Sequence, residues 1–103
     1  MSARIALHMP DNHPAFAGHF PGRPIVPGAL LVDLAVRAVE DATGRQITGI
    51  AQTKFLSPAI RGEALSLMFE RTDTSVRFEI ETVSESAVRK LVSGRFTLHA
   101  EAA

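Results

Sequence analysis

No cysteine occurs among the 103 residues, which excludes disulfide staples and thiol catalysis together. Neither charge is in excess: eleven lysines and arginines balance eleven aspartates and glutamates. A net charge of zero gives the chain as a whole no bias toward nucleic acid or an anionic membrane surface. Long apolar runs are missing too. The longest is interrupted by Asp33 and Arg37, and no stretch reads as a signal peptide or a membrane span, so a cytoplasmic location is expected. Repeats, linkers, low-complexity segments and composition shifts are absent as well, which leaves one domain over residues 1–103.

What the chain has in quantity is apolar side chain, 46% of its residues. A domain of this size buries only roughly 60 to 70% of the surface its unfolded chain exposes, and dimerisation would relieve that shortage.

Proline and glycine are concentrated in one place. Four of the six prolines and three of the seven glycines lie between Pro14 and Gly28, so this segment is a rigid, irregular loop. From Gly28 to Ala42 apolar residues then occupy nearly every face of a helix, which should therefore be enclosed. Asp33 falls in its first turns, where a carboxylate is expensive to bury unless it is paired, hydrogen-bonded or protonated. The helix start offers exposed N–H groups and the positive dipole end, and Gly28 presents no side chain to an approaching ligand. A carbonyl oxygen gaining charge would be stabilised there. The loop histidine and the helix carboxylate complete the parts of an acid/base site.

The coarse element order is a strand at Ala3 to Met9, the loop, the helix stopped by Thr43-Gly44, and four strands: Gln46 to Phe55, Gly62 to Arg71, Ser75 to Val83 and Val88 to His99. Alternation puts Leu65, Leu67 and Phe69, then Val76, Phe78 and Ile80, then Val92, Phe96 and Leu98 on one face each. An antiparallel sheet with one apolar face would wrap the helix.

The segment Phe16-Ala-Gly-His19-Phe-Pro-Gly-Arg-Pro-Ile-Val-Pro-Gly28, with the acidic Asp33 fourteen positions after the histidine, resembles the β-hydroxyacyl-acyl carrier protein dehydratases. Weaker similarity continues through Lys54-Phe55-Leu-Ser-Pro58-Ala-Ile-Arg-Gly62-Glu-Ala-Leu. The chain is shorter at its start than the fatty-acid-synthesis members, and in this it is similar to compact members associated with aryl polyene pathways. The resemblance implies an α+β hot-dog fold, an antiparallel sheet wrapped around one central helix, and a dimer.

It also implies roles. Eliminating water from a 3-hydroxyacyl thioester needs a base for the proton beside the carbonyl, donors for the enolate-like oxygen and an acid for the leaving hydroxyl. By resemblance His19 removes the C2 proton, the Gly28 N–H polarises the thioester carbonyl, and Asp33 assists departure of the hydroxyl, with Phe20 and Pro27 beside the substrate. In this family the histidine and the acid of one site come from different subunits, so a homodimer, or a higher oligomer built from it, is part of the mechanism. The partner implied is acyl carrier protein with its phosphopantetheine-linked substrate, whose phosphate or acidic helix Arg23, Lys54, Arg61 and Arg45 could meet. Phe16, Phe20 and Phe55 could line an acyl or aryl channel, although aromatics in such places are core first. No cofactor, nucleic acid or membrane is called for. No metal is either, because His8, His13 and His99 lack ligand spacing.

One position departs from the better-known relatives, which commonly carry glutamine where this chain has Arg37. An i, i+4 pair with Arg37 would keep Asp33 ionised and weaken it as a proton donor. Two other functions stay open beside dehydration: a hot-dog acyl thioesterase, and a non-catalytic acyl-binding dimer. The loop followed by the spaced acid favours dehydration over the thioesterase, and Arg37 with the short start keeps the non-catalytic dimer in view.

Overall fold

The computed structural model describes residues 2–8, 25–60, 63–83 and 87–99. Their order is β1 (Ser2–Leu7), β2 (Ile25–Val26), α1 (Gly28–Thr43), β3 (Ile47–Phe55), β4 (Ala59–Ile60), β5 (Leu65–Arg71), β6 (Ser75–Val83) and β7 (Val88–Leu98). Five strands form one sheet in the order β1-β5-β6-β7-β3, and every pairing within it is antiparallel. The alternation read from the sequence sets its inner face. Leu67, Phe69, Val76, Phe78, Ile80, Val92, Phe96 and Leu98 are all buried, and the rings of Phe78 and Phe96 stack with centroids 4.1 Å apart. This sheet and the one helix among the described residues are the α+β hot-dog arrangement.

Helix α1 ends where Thr43-Gly44 says it should, because Gly44 takes the left-handed conformation at φ 68° and its N–H donates to the Glu40 carbonyl. Its burial is narrower than the apolar composition suggests. Leu30, Leu31, Val32, Ala35 and Val39 are buried against the sheet, while Ala29, Asp33, Arg37 and Asp41, spaced four apart, form an exposed stripe. The expectation that the helix is enclosed and Asp33 buried is therefore corrected for the single chain. Alanine explains the difference: Ala29 and Ala42 are exposed and count as apolar without needing the core.

The strand boundaries differ by small amounts. β1 ends at Leu7, two residues before Met9, which lies outside the described residues, and β5 begins at Leu65, three residues after Gly62. Two short strands were not foreseen. Ile25 pairs with Ile60 and Val26 with Ala59 in a separate two-stranded sheet that ties the residues before α1 to those after β3.

Candidate active site

Four local devices hold the 55–60 segment against the start of α1. The β2–β4 pairing is the first. The second is a bulge in β7: Ile80 faces Val92 but Glu81 faces Lys90, so Leu91 is the extra residue, and its carbonyl accepts the Leu56 N–H at 2.8 Å. The third is Arg89, whose Nη2 donates to the Pro58 carbonyl at 3.0 Å and to Glu63 Oε1 at 2.7 Å. The same Glu63 oxygen accepts the Ile60 N–H at 2.7 Å, which closes the turn. The fourth is steric. A Cβ added to Gly28 would lie 2.5 Å from Cε1 of Phe55 and 2.9 Å from its Cδ1, so the ring rests on the glycine.

These contacts shape an apolar pocket of about 610 Å³, walled by Val26, Gly28, Leu31, Phe55, Leu56 and Ala59. The helix start opens beside it. Pro27 is the N-cap and offers no side-chain cap, its carbonyl accepts from the N–H of Leu30 at 3.0 Å, and the amides of Gly28 and Ala29 have no partner among the described residues. Two N–H groups and the positive end of a 16-residue helix are thus available to an oxygen gaining charge. Glycine at 28 matters for a reason the sequence does not disclose: its missing side chain makes room for Phe55 as well as for a ligand.

Asp33 is paired with Arg37, Nε to Oδ2 at 3.2 Å, and both side chains are open to solvent, at 50% and 73% exposure. It follows Gly28 by five residues, which places it about 140° round the helix and about 7.5 Å along it. Gly28 and the Asp33 side chain of one chain therefore lie on different sides of the helix.

Among the cations, Lys54 lies on the outer face of the sheet, where it shares a shallow pocket with Gln52, Arg77, Glu79, Ser93 and Arg95. Arg45 does not fit a carrier contact. It is 8% exposed, beyond the far end of α1, and its Nη2 donates to the carbonyl oxygens of Asp73 and His99. It is a structural tie between the helix exit and the sheet. His8 and His99 are exposed and stand at the ends of β1 and β7. His19, Phe20, Arg23 and Arg61 lie outside the described residues, as do His13 and Phe16. The clamp made by Arg89 and Glu63 was missed, since a lone arginine and a lone glutamate 26 positions apart carry no sequence signal.

The family model for the ApeI-like dehydratases, described as ApeI dehydratase, matches residues 1–95. The chain belongs to that family. A 3-hydroxyacyl-[acyl-carrier-protein] dehydratase FabZ of Geobacter metallireducens is 34% identical, over 95% of this chain and 77% of the relative. The FabZ of Thermus thermophilus is 33% identical over 81% and 62%, and that of Chlamydia trachomatis serovar L2 is 37% identical over 57% and 46%. The chain thus spans from about half to about three quarters of the length of these curated relatives.

Two solved structures share the fold. The dehydratase heterocomplex ApeI:P from Xenorhabdus doucetiae superposes with a TM-score of 0.74 at 24% identity, covering 94% of this chain and 86% of that one. An uncharacterized protein from Erwinia carotovora subsp. atroseptica gives 0.75 at 23% identity, over 96% and 82%. Among the described residues no helix is long and apolar enough to cross a membrane.

Proposed function

We propose that this dehydratase-family chain removes water from a 3-hydroxyacyl thioester carried on acyl carrier protein, giving the trans-2-enoyl thioester in fatty-acid, polyketide or aryl polyene synthesis. The observation that carries the proposal is the Gly28 amide, without a partner among the described residues, opening beside an apolar pocket, six positions after the end of the Gly18-His19-Phe20-Pro21-Gly22 motif in sequence. His19 takes the proton from C2, and the electron pair moves toward the thioester oxygen, held at the Gly28 N–H. The C3–O bond then breaks, and the hydroxyl leaves as water with a proton delivered from the Asp33 side. The elimination is redox-neutral and asks for no cofactor.

A site shared by two chains fits the geometry. Gly28 and Asp33 lie on different sides of one helix, about 7.5 Å apart along it, which supports a site to which a second chain contributes the acid. The strand edge for such a union is β3, which ends the sheet and exposes Ile50 and Phe55, with Leu56 exposed just past its end. The partner in this reading is a second copy, residues 1–103 acting as one hot-dog domain in the cytoplasm. Phosphopantetheine enters past Phe20 and Pro27, and Arg23, Lys54 and Arg61 supply the cations that meet the carrier.

The competing reading, an acyl-binding dimer without catalysis, is favoured by the Asp33–Arg37 pair alone. Incubation with a 3-hydroxyoctanoyl thioester separates them. Rising enoyl absorbance without free thiol is expected, free thiol would mean hydrolysis, and neither product would mean binding alone. His19→Ala should cut turnover at least about a hundredfold, the lower end for losing a general base, with the assembly intact. Equal turnover in variant and wild type would remove His19 from the mechanism.

A further inference from the structure

We infer that Phe55 sets the width of the acyl site at its reacting end and so selects slender acyl chains over bulky ones. The inference rests on the dehydratase reading for the reaction, and on geometry for the ring. Phe55 is the last residue of an edge strand and is 60% exposed, so core packing does not account for where its ring lies. The ring nonetheless sits on Gly28, close enough that a Cβ there would stand 2.5 Å from Cε1 and 3.0 Å from Cζ. It therefore flanks the amide that receives the thioester oxygen. Any acyl chain leaving that carbonyl for the pocket runs between the Phe55 ring and the wall made by Val26, Leu31 and Ala59.

The segment carrying the ring is fixed from behind, which fixes the point from which the ring projects beside Gly28. Leu56 is bonded to the Leu91 carbonyl, Pro58 to Arg89, and Ala59 to Val26 across the short sheet. A straight methylene chain can lie along an aromatic face; a branched or aryl group beside the reacting carbons needs the volume that the ring occupies.

The test compares wild type, Phe55→Leu and Phe55→Ala on two N-acetylcysteamine thioesters, 3-hydroxyoctanoyl and 3-hydroxy-5-phenylpentanoyl. The ratio of kcat/KM values should move at least about tenfold toward the phenyl substrate in the variants, the scale by which small changes in an apolar pocket discriminate substrates. Calorimetric binding of the corresponding unreactive octyl and 5-phenylpentyl thioethers should shift in the same sense. An unchanged preference in the thioether titrations overturns the role of Phe55, whether or not wild type turns over. Failure of wild type to form enoyl product overturns the dehydratase reading instead, and the thioether affinities still decide the ring. Phe55→Leu retains apolar bulk, so if Phe55→Ala does not fold the leucine variant alone decides.

Discussion

At Asp33 the acid step of the proposed reaction meets a cation on its own helix. The carboxylate and Arg37 Nε are 3.2 Å apart, in a pair that is half-exposed or more on both sides, and such pairs contribute about 1 kcal/mol or less. Arg37→Gln should therefore leave the unfolding free energy within about 0.5 kcal/mol of wild type. It releases the carboxylate from the pair that holds it along its own helix and frees it to turn toward substrate, so dehydration should speed up, by at most about fivefold for 1 kcal/mol. A large loss of rate without unfolding would show that Arg37 contacts substrate. Gly28 and Phe55 form a second coupled pair. Gly28→Ala places a methyl where the ring lies and, because the 60% exposed ring can turn aside, should cost about 1 kcal/mol or less, whereas in a Phe55→Ala background only the mild helix preference of alanine remains. A double-mutant cycle should give a coupling of about 0.5 kcal/mol or more; additive effects would mean that the ring is not seated on the glycine.

Among the elements, the late strands were legible in the sequence because Leu65 to Phe69, Val76 to Ile80 and Val92 to Leu98 bury alternate residues on one sheet face. The parts that build the pocket were not legible. β2 and β4 have two residues each, too short for any period, and Val26 and Ala59 sit directly beside prolines that read as loop. The Leu91 bulge is equally hidden, since Leu91 and Val92 are consecutive apolar residues that could belong to either face. The helix was found, but its alanines concealed which face is buried. Gly94 is an element-scale constraint with the same invisibility. A Cβ there would lie 2.3 Å from the Gln52 carbonyl oxygen in β3 and 2.9 Å from the Phe78 ring, so β3 must shift to admit it. Gly94→Ala should lower the unfolding free energy by about 1 to 3 kcal/mol, while Gly49→Ala, whose nearest neighbour is the Thr97 hydroxyl at 3.1 Å, should cost less. Equal denaturant midpoints for the two variants would contradict the close approach of β3 to β7.

For the whole molecule, the decisive surface is the outer edge of β3. An edge strand presents unpaired N–H and C=O groups, and proteins that stay monomeric blunt such edges with charge, proline or a covering element. Here Ile50, Phe55 and Leu56 lie exposed along it or just past its end, and the exposed stripe of α1, with the half-buried Leu34, Val36 and Ala38 flanking it, also lacks a cover among the described residues. Both features are what a second sheet and helix would occupy, and the separation of Gly28 from Asp33 round the helix asks for the same second chain. Sedimentation of the purified chain at micromolar concentration should therefore give twice the 11.1 kDa of one chain. Ile50→Lys puts a charge on the edge at a position that is 54% exposed in the single chain, so it should produce a folded monomer with unchanged secondary structure and little turnover. A wild-type monomer that pairs only when a different dehydratase-like chain is added would replace self-pairing with a mixed assembly, of the kind named for the Xenorhabdus heterocomplex, while leaving the shared-site argument standing. A wild-type monomer that turns over without any partner would remove it.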